Sequence, residues 1–340
     1  MDFDFSLEQQ LIARSVRGAL EALPSCAASE ASAAKPLAKR FADLGLFAPP
    51  GADDPPLGAV DAVVVAIETG RLLPAAPAIE QLAASLWLWP ERPDLAVAMA
   101  DGEVVTAAVS GTLACRDGAL AGRVLVPFAG EAAAVLVPVA SDDGRRWLAL
   151  SPSDLMLSPA STTDVTVEAC WVEPSATLGD RPLLSERPIA LDDLLSLLAM
   201  AEMVGAAEAG FARTIEHIGQ RTQFGKPIGT YQAVKHMAAD CASDLEVMKA
   251  AVEYAGWAFD QARDGGQPAL DEARMALLTA RSFVGERARL VPERCIQMHG
   301  GIAFTWDYGL HRHLRRILYR TATLVRPMES RAAIAATMLS

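Results

Sequence analysis

Two glycine-containing segments in the C-terminal third carry side chains suited to a phosphate-bearing ligand. The first, residues 221–232, reads Arg-Thr-Gln-Phe-Gly-Lys-Pro-Ile-Gly-Thr-Tyr-Gln. The Arg221 guanidinium can pair with a phosphate through two hydrogen bonds, and Phe224 offers an aromatic face to a base. Gln232 adds an amide in the first turn of the next predicted helix, where the helix dipole favours anions. Taken alone, the segment is more typical of a Gly/Pro-rich link between helices.

The second segment, residues 297–301, reads Gln-Met-His-Gly-Gly. Gly300 and Gly301 can expose backbone N–H groups to a pyrophosphate, and Gln297 precedes them by one helical turn. In isolation this is a helix C-cap with Gly300 in the left-handed conformation. His299 has no carboxylate neighbour in sequence, which favours a structural role. Together, the two segments predict a site for a dinucleotide.

The composition narrows the class of ligand and partner. The 340 residues carry 42 acidic and 30 basic side chains, a net charge of −12 at pH 7, so no basic surplus exists to bind nucleic acid. Five cysteines lie far apart without a CxxC pair, which predicts neither a disulfide framework nor a zinc site and fits a reducing cytoplasm. His311 and His313 lack further ligands at metal-binding spacing, so no metal site is predicted.

Helical patterns dominate residues 1–100, which we interpret as an N-terminal helical domain. Ser6 and Gln9 form a predicted capping box ahead of apolar residues at helical spacing. The run Val-Val-Val at 63–65 is compatible with either a helix or a strand. Further helices are predicted up to Gly45, over 59–73 and over 78–88.

Residues 101–187 change to short apolar or alternating segments, the pattern of a small β domain. The turn signals Arg-Asp-Gly at 116–118 and Asp-Asp-Gly at 142–144 are typical of hairpins between strands. Strands are predicted at 103–109, 123–128, 134–139, 147–151 and 165–172.

From residue 188 to 340 the helical patterns return and lengthen. An apolar seam over 234–262 steps alternately by four and three residues, the period of helices packed at shallow angles in a bundle, and Thr230 is its predicted N-cap. The next helix is predicted to run over 268–300 with a kink at Pro292. The chain is therefore predicted to be an α+β protein with a helical domain, a small β domain and a long-helix bundle.

Neither the start of the sequence nor its most apolar stretch predicts a membrane anchor. The opening Met-Asp-Phe-Asp-Phe is acidic and lacks the continuous apolar core of a signal peptide. The longest apolar stretch, 194–211, contains Glu202 and Glu208, which predicts a buried bundle helix and no membrane span. We expect a cytoplasmic protein.

Segments 221–232 and 297–301, with the helices between them, resemble the C-terminal domain of the acyl-CoA dehydrogenase family. The opening ten residues and the stretches 67–74 and 307–316 are similar to further segments of that family. The resemblance implies an FAD cofactor, an acyl-CoA substrate and electron-transfer flavoprotein as the electron acceptor. It also implies a tetramer in which FAD crosses a dimer interface. The residues it assigns to the ADP half of FAD are Arg221, Phe224, Gln232, Gln297, Gly300 and Gly301.

The chain departs from this family at the catalytic base, a Glu that removes the α-proton of the acyl thioester. That Glu usually lies in a Tyr-Glu-Gly-Thr-like loop. The corresponding stretch of this chain, residues 323–330, reads Thr-Leu-Val-Arg-Pro-Met-Glu-Ser, and Arg326 aligns with the Glu. An arginine stays protonated and cannot act as a base. A minority of the family places the Glu at the position of Leu195. The family's Gly-Ser-Asp segment is also missing near 106–122, and Val-Pro-Phe at 126–128 stands near its Trp-Ile-Thr.

These departures indicate the small, base-lacking subunit of a heterotetrameric acyl-CoA dehydrogenase, of the type that degrades steroid side chains. Its partner subunit would carry the catalytic Glu. Two alternatives remain open. A self-sufficient homotetramer would need a displaced base, at Glu329 or Glu202, and a non-catalytic scaffold subunit would have lost flavin altogether.

Overall fold

The computed structural model describes residues 5–23, 32–47, 57–89, 91–141, 144–175, 182–263 and 265–339. The first four residues of the acidic start, and two residues of the turn signal at 142–144, lie outside these ranges. The described chain runs from helices through short strands to long helices, which confirms the predicted α+β class.

The helices and strands have the following bounds. The helices are α1 (Leu7–Glu21), α2 (Ala34–Asp43), α3 (Ala59–Leu72), α4 (Ala78–Leu88), α5 (Pro93–Ala100), α6 (Leu191–Gln220), α7 (Gln232–Ala262), α8 (Gly266–Arg287), α9 (Leu290–His299), α10 (His311–Arg320) and α11 (Pro327–Leu339). The strands are β1 (Val105–Ala107), β2 (Leu113–Arg116), β3 (Ala119–Ala121), β4 (Val124–Pro127), β5 (Ala134–Ser141), β6 (Gly144–Leu150), β7 (Leu155–Ala160), β8 (Ala169–Pro174), β9 (Thr222–Gln223) and β10 (Lys226–Pro227).

The N-terminal helices follow their local signals. Gln9 N donates to Ser6 Oγ at 3.2 Å and Ser6 N donates to Gln9 Oε1 at 3.0 Å, so the predicted capping box starts α1. Gly45 follows α2 with φ 71°, the left-handed conformation of a helix stop. The ambiguous run at 63–65 is helical and buried within α3. Helix α5 was not predicted.

Strands β1 to β8 form two sheets, and β9 and β10 form a separate two-stranded one. In the first, β5 pairs parallel with β1 and β2 and antiparallel with β6, and β3 pairs with β2. The second sheet is antiparallel with the order β4-β8-β7. Asp117 and Gly118 both have positive φ in the β2–β3 turn, as a two-residue hairpin requires. Strands β2, β3 and β7 lie outside the predicted strand ranges.

The chain groups into two compact units. One contains the described residues of Arg14–Ala62 and Pro74–Leu195, including both of these sheets. The other contains those of Met1–Ala13, Val63–Leu73 and Ser196–Ser340, including most of α6 and the helices from α7 to α11.

Two sequence expectations for the second unit are corrected by its geometry. The predicted helix over 268–300 is two helices, α8 and α9, separated at residues 288–289, and Pro292 lies in the first turn of α9, where a missing N–H is tolerated. Thr230 is not the N-cap of α7; its hydroxyl donates to Pro227 O at 2.7 Å, and Tyr231 precedes the helix without a side-chain cap. The apolar seam of α7 is buried from Cys241 onward, as expected.

Helix α6 is the inner helix of its unit. It is long and apolar enough to cross a membrane, with a mean hydropathy of 1.5 over its most apolar 18 residues, but 83% of that stretch is buried inside the protein. This pattern is typical of the central helix of a globular bundle. The part of the chain that the structure describes contains no other helix of this kind.

Two glycines let α3 and α6 cross at backbone distance. A Cβ at Gly70 would collide with the carbonyl oxygen of Glu202, and a Cβ at Gly205 would collide with that of Ile67. Neither clash can be relieved by moving a side chain, because backbone atoms are involved. The crossing therefore sets the depth at which Glu202 lies in the bundle.

This crossing gives a matched pair of glycine substitutions on one helix. Gly205→Ala is expected to lower the free energy of unfolding by about 3 kcal/mol, because the helices must separate. Gly219→Ala, in the last turn of α6 with open space around its position, is expected to raise it by roughly 0.5–1 kcal/mol through helix propensity. Chemical unfolding followed by circular dichroism measures both, and equal stability of the two variants would contradict the crossing.

Candidate functional site

The segment at 221–232 folds into a small hairpin between α6 and α7. Strands β9 and β10 pair antiparallel, and Ile228 N donates to Arg221 O at 2.8 Å across the base of the hairpin. Tyr231 Oη donates to Gln223 O at 3.2 Å, and the Lys226 ammonium lies 4.4 Å from the Tyr231 ring centroid. These contacts give the hairpin a fixed shape although it is largely exposed.

Phe224 occupies the tip of this hairpin. Phe224 and Gly225 have φ values of 53° and 82°, the pattern of a type I′ turn, in which Asn-Gly is the preferred pair. A phenylalanine there is disfavoured by its own backbone, and its side chain is 93% exposed. Phenylalanine normally has a negative φ and a buried side chain. A residue that departs from both preferences is expected at a functional site.

Arg221 and Gln232 flank the hairpin. Arg221 is exposed, and its guanidinium has no carboxylate partner among the described residues. Gln232 is also exposed and is the first residue of α7, where backbone N–H groups face outward. Both side chains are therefore available to an external anion.

The segment at 297–301 ends α9 and starts a short 3-10 turn. Gly300 has φ 69° and ψ −149°, a backbone conformation essentially restricted to glycine. A Cβ at Gly300 or Gly301 would meet nothing within 4 Å, so the space above both backbones is open. Gln297 is exposed on the outer face of α9, next to buried Met298.

A pair of stacked histidines brings the two segments together. The rings of His217 and His299 lie 4.2 Å apart between centroids, at an interplanar angle of 22°. His217 lies one helical turn before Arg221, and His299 directly precedes Gly300. Both segments thus start from the same contact between the ends of α6 and α9. No local pattern in the sequence indicates this role of His217, and it is not among the predicted site residues.

The histidine pair lies in an electropositive, partly desolvated environment. His299 Nδ1 donates to Cys295 O at 2.8 Å, since a carbonyl can only accept, and this leaves the buried Nε2 as an acceptor without a partner in the described chain. Burial lowers the pKa of His299, and His217 and Arg213 act in the same direction against the bond to Cys295. Burial and Arg221 likewise lower the pKa of His217. Both shifts favour the neutral form of the ring.

Glu202, one of the two displaced-base candidates, is fully buried in α6 and held by two arginines of α10. Arg316 Nη1 donates to its Oε1, and Arg320 Nε donates to its Oε2 at 2.6 Å. Burial by itself raises the pKa of Glu202, but Arg316 and then Arg320 outweigh it and lower the pKa below its ordinary value. Glu208, on the same helix, pairs with Arg71 of α3. These are interhelical contacts of the bundle.

Glu329, the other candidate, is on the surface at the start of α11. Its side chain is 73% exposed, and Oε1 lies 3.8 Å from Arg326 Nη1. Arg326 has a left-handed backbone, φ 43°, after a π-helical turn at Thr321–Val325. Leu195, the alternative Glu position of the family, is fully buried. The structure therefore does not bring Glu202 and Glu329 together; one is in the core and the other in solvent.

Solved structures give the class of protein. The chain superposes on a chain of the ChsE4–ChsE5 complex from Mycobacterium tuberculosis with a TM-score of 0.85 at 23% identity, over 100% of this chain and 99% of that chain. It superposes on a chain of a Tcur3481–Tcur3483 steroid ACAD variant with a TM-score of 0.79 at 25% identity, over 97% and 99% of the two chains. The architecture is that of acyl-CoA dehydrogenases (ACADs).

Sequence relatives are consistent with that architecture. Residues 196–323 match the family model of the acyl-CoA dehydrogenase C-terminal domain. Acyl-CoA dehydrogenase IpdE2 of Mycobacterium tuberculosis is 31% identical over 272 residues, which cover 79% of this chain and 74% of that protein. The chain belongs to the acyl-CoA dehydrogenase family, FAD-binding oxidoreductases that act on acyl-CoA thioesters.

The residues of the two segments fit an FAD. The open space above Gly300 and Gly301 admits a pyrophosphate, and the exposed Arg221 guanidinium matches its charge. The Phe224 side chain is 93% exposed, so its ring is accessible for stacking against adenine. The partnerless Nε2 of His299, directly before Gly300, adds a buried polar atom that a ligand or water can satisfy.

Proposed function

We propose that this chain is the base-lacking subunit of a heteromeric acyl-CoA dehydrogenase. In this assembly Arg221, Phe224 and Gln232 hold the ADP half of FAD together with Gln297, Gly300 and Gly301. A partner subunit supplies the catalytic Glu and surrounds the flavin ring. The substrate is an acyl-CoA, with a steroid side chain as the acyl group, electrons pass to electron-transfer flavoprotein, and the complex works in the cytoplasm.

The observation that carries this proposal is the contrast between the two ends of the expected site. The residues proposed for the ADP end are all present and exposed, and Phe224 lies at the hairpin tip against its own backbone preference. At the base end, the family resemblance aligns Arg326 with the usual Glu position and Leu195 with the minority position, and Leu195 is buried. The names of two similar structures, the ChsE4–ChsE5 complex and the Tcur3481–Tcur3483 steroid ACAD, support an assembly of unlike subunits.

The residues of this chain have binding and orienting roles in the reaction. A bound FAD would supply the acceptor for the hydride that leaves the β-carbon of the thioester. Arg221 neutralises the pyrophosphate, Phe224 stacks on the adenine, and the Gly300–Gly301 backbone allows close approach. The proton of the α-carbon leaves to the partner's carboxylate.

A displaced base in this chain is disfavoured by both candidate geometries. Glu202 has both carboxylate oxygens engaged by buried guanidiniums and a lowered pKa, so it is a weak base without access to a substrate. Glu329 is 73% exposed and its carboxylate lies 3.8 Å from the Arg326 guanidinium, so it is open to solvent and faces a cation. Glu202 is not the raised-pKa carboxyl that a dehydrogenase base requires.

Co-expression with the unlike family member that co-purifies with this chain tests the proposal. We expect a yellow complex with one FAD for each pair of unlike subunits, while this chain alone stays colourless. Glu329→Gln should leave turnover of the complex unchanged. Tight FAD binding together with turnover by the isolated chain would refute the proposal, and a colourless complex would favour the scaffold alternative.

A further inference from the structure

Two cysteines of different helices are neighbours in the core of the bundle. Cys241 of α7 and Cys295 of α9 are both fully buried, and neither is in a disulfide. Cys241 Sγ lies 4.0 Å from the carbonyl oxygen of Val291, which precedes Cys295 by one helical turn. The two thiols hydrogen-bond to each other across this contact. Thiols in such contact are the starting point of a disulfide, in which the sulfurs lie about 2 Å apart.

The surroundings make the two thiols chemically unequal. The hydrogen bond from Cys295 lowers the pKa of Cys241, and Arg294 lowers it further against the effects of burial and of Asp244. The same hydrogen bond, together with burial, raises the pKa of Cys295, although a hydrogen bond to Thr214 acts the other way. The thiolate, which is the nucleophilic form, is therefore favoured at Cys241 and disfavoured at Cys295. A low-pKa cysteine beside a second thiol is typical of oxidant-sensitive pairs.

A polar side chain connects this buried pair with the surface. Arg294 hydrogen-bonds to Cys241, and its Nη1 donates to Asp244 Oδ2 at 2.8 Å. The Arg294 side chain is 28% exposed. A cysteine in purely apolar surroundings is inert, whereas Cys241 has a cation beside it that also reaches solvent. Arg294 therefore gives a small polar oxidant such as peroxide a route to the thiol.

We propose that Cys241 and Cys295 form a site of reversible oxidation by peroxide. The Cys241 thiolate attacks one peroxide oxygen, the O–O bond breaks, hydroxide leaves, and Cys241 becomes a sulfenic acid. The Cys295 thiol then loses its proton and attacks the Cys241 sulfur, so that the S–S bond forms and a second hydroxide leaves. Two thiols thus lose two electrons and two protons, and one peroxide becomes two water molecules.

The disulfide would join α7 to α9 close to the two candidate segments. Helix α7 starts at Gln232, and α9 ends directly before Gly300. Cys295 O accepts the hydrogen bond from His299 Nδ1 at 2.8 Å. Oxidation therefore acts on the turn of α9 that precedes Gly300. The reaction itself needs no flavin, so it is independent of the proposed function.

Peroxide treatment of the reduced full-length chain tests the site by mass spectrometry. We expect a disulfide between the tryptic peptides that contain Cys241 and Cys295, and its reversal by dithiothreitol. Cys295→Ala removes the thiol that attacks the sulfenic acid, so oxygen adducts should accumulate at Cys241. Cys170→Ala, which removes a buried free cysteine of β8, should form the disulfide as wild type does. Circular dichroism shows whether each variant is folded.

The rate of oxidation tests the role of Arg294. Arg294→Met removes the cation beside Cys241 and should slow disulfide formation about 10-fold, because less thiolate is present at neutral pH. Asp244 keeps an ion pair with Arg287 at 3.6 Å in this variant. Arg289→Met is the matched control, since Arg289 lies on the same helix but pairs with Glu293. It should be oxidised at the wild-type rate.

Two results would overturn the inference. The first is a folded wild-type chain in which Cys241 and Cys295 stay reduced under peroxide, or in which Cys241 pairs with a different cysteine. The second is a wild-type rate in folded Arg294→Met, since Cys241 would then not be the thiolate that Arg294 stabilises.

Discussion

Replacing Glu202 by Gln is expected to lower the free energy of unfolding by about 3–5 kcal/mol at neutral pH. Gln has nearly the same shape but no charge, and it leaves the guanidiniums of Arg316 and Arg320 buried without the carboxylate that they share. Arg316 is 0% and Arg320 1% exposed, so water cannot replace that carboxylate. Chemical denaturation at pH 7 measures the loss.

The pH dependence of this effect gives a second signature. The pKa of Glu202 is lowered from its ordinary 4.5, because the two arginines outweigh the effect of burial. A carboxyl whose pKa is lower in the folded than in the unfolded chain stabilises the fold above the unfolded-state pKa. The stabilisation disappears as the pH falls through the folded-state value. The difference between wild type and Glu202→Gln should therefore be constant near pH 7 and shrink below about pH 4.5.

Two further variants isolate the cause. Glu329→Gln removes a surface carboxylate that is 73% exposed and should change stability by less than about 0.5 kcal/mol. The triple change Glu202→Leu, Arg316→Met and Arg320→Met removes all three charges and should recover much of the loss, because a buried ion network is often no better than an apolar core. Wild-type stability of Glu202→Gln at pH 7 would contradict the buried network.

The part of the fold that the sequence predicts is the part with local causes. The capping box of Ser6 and Gln9, the Asp-Gly hairpin at 117–118 and the buried seam of α7 each depend on residues a few positions apart. Edge strand β7 escaped prediction because Pro159 interrupts its apolar pattern, and proline is tolerated at a sheet edge. The break between α8 and α9 has no glycine or proline at 288–289 to mark it.

The environment of the candidate residues could not be predicted because its causes are distant in sequence. Glu202 meets arginines that follow it by 114 and 118 positions, and no pattern within α6 reveals their charge. The only local hint was the i, i+4 spacing of Arg316 and Arg320 on one face of α10. The types of the FAD-site residues were visible in the sequence, whereas the histidine stack that brings the two segments together was not. The residue types of the candidate site were therefore easier to predict from the sequence than the contacts that surround them.

Replacing Arg221 by Ala is expected to weaken FAD binding by the heteromeric complex at least about 100-fold. The guanidinium is exposed and has no carboxylate partner in the described chain. Its two hydrogen bonds to a phosphate would each contribute ~1.5–3 kcal/mol, because they are assisted by charge. Arg221→Lys keeps the charge but loses the paired geometry, so it should bind with intermediate affinity. Arg274→Ala, an exposed arginine of α8 that pairs with Asp271, should bind as wild type does.

Phe224→Asn removes the aromatic ring and should leave the hairpin intact, so it tests the ring alone. Asparagine adopts the left-handed conformation of Phe224 more readily, so the turn should be retained or stabilised. Stacking on one base contributes ~1–3 kcal/mol, so Phe224→Asn should lower the affinity for FAD about 10–100-fold. Phe224→Tyr keeps an aromatic ring and should retain the wild-type affinity. Titration of the flavin-free complex with FAD, followed by flavin fluorescence, measures both effects without relying on turnover. If Arg221→Ala and Phe224→Asn both bound FAD with wild-type affinity, neither side chain would contact the cofactor. The ADP half of FAD would then bind elsewhere.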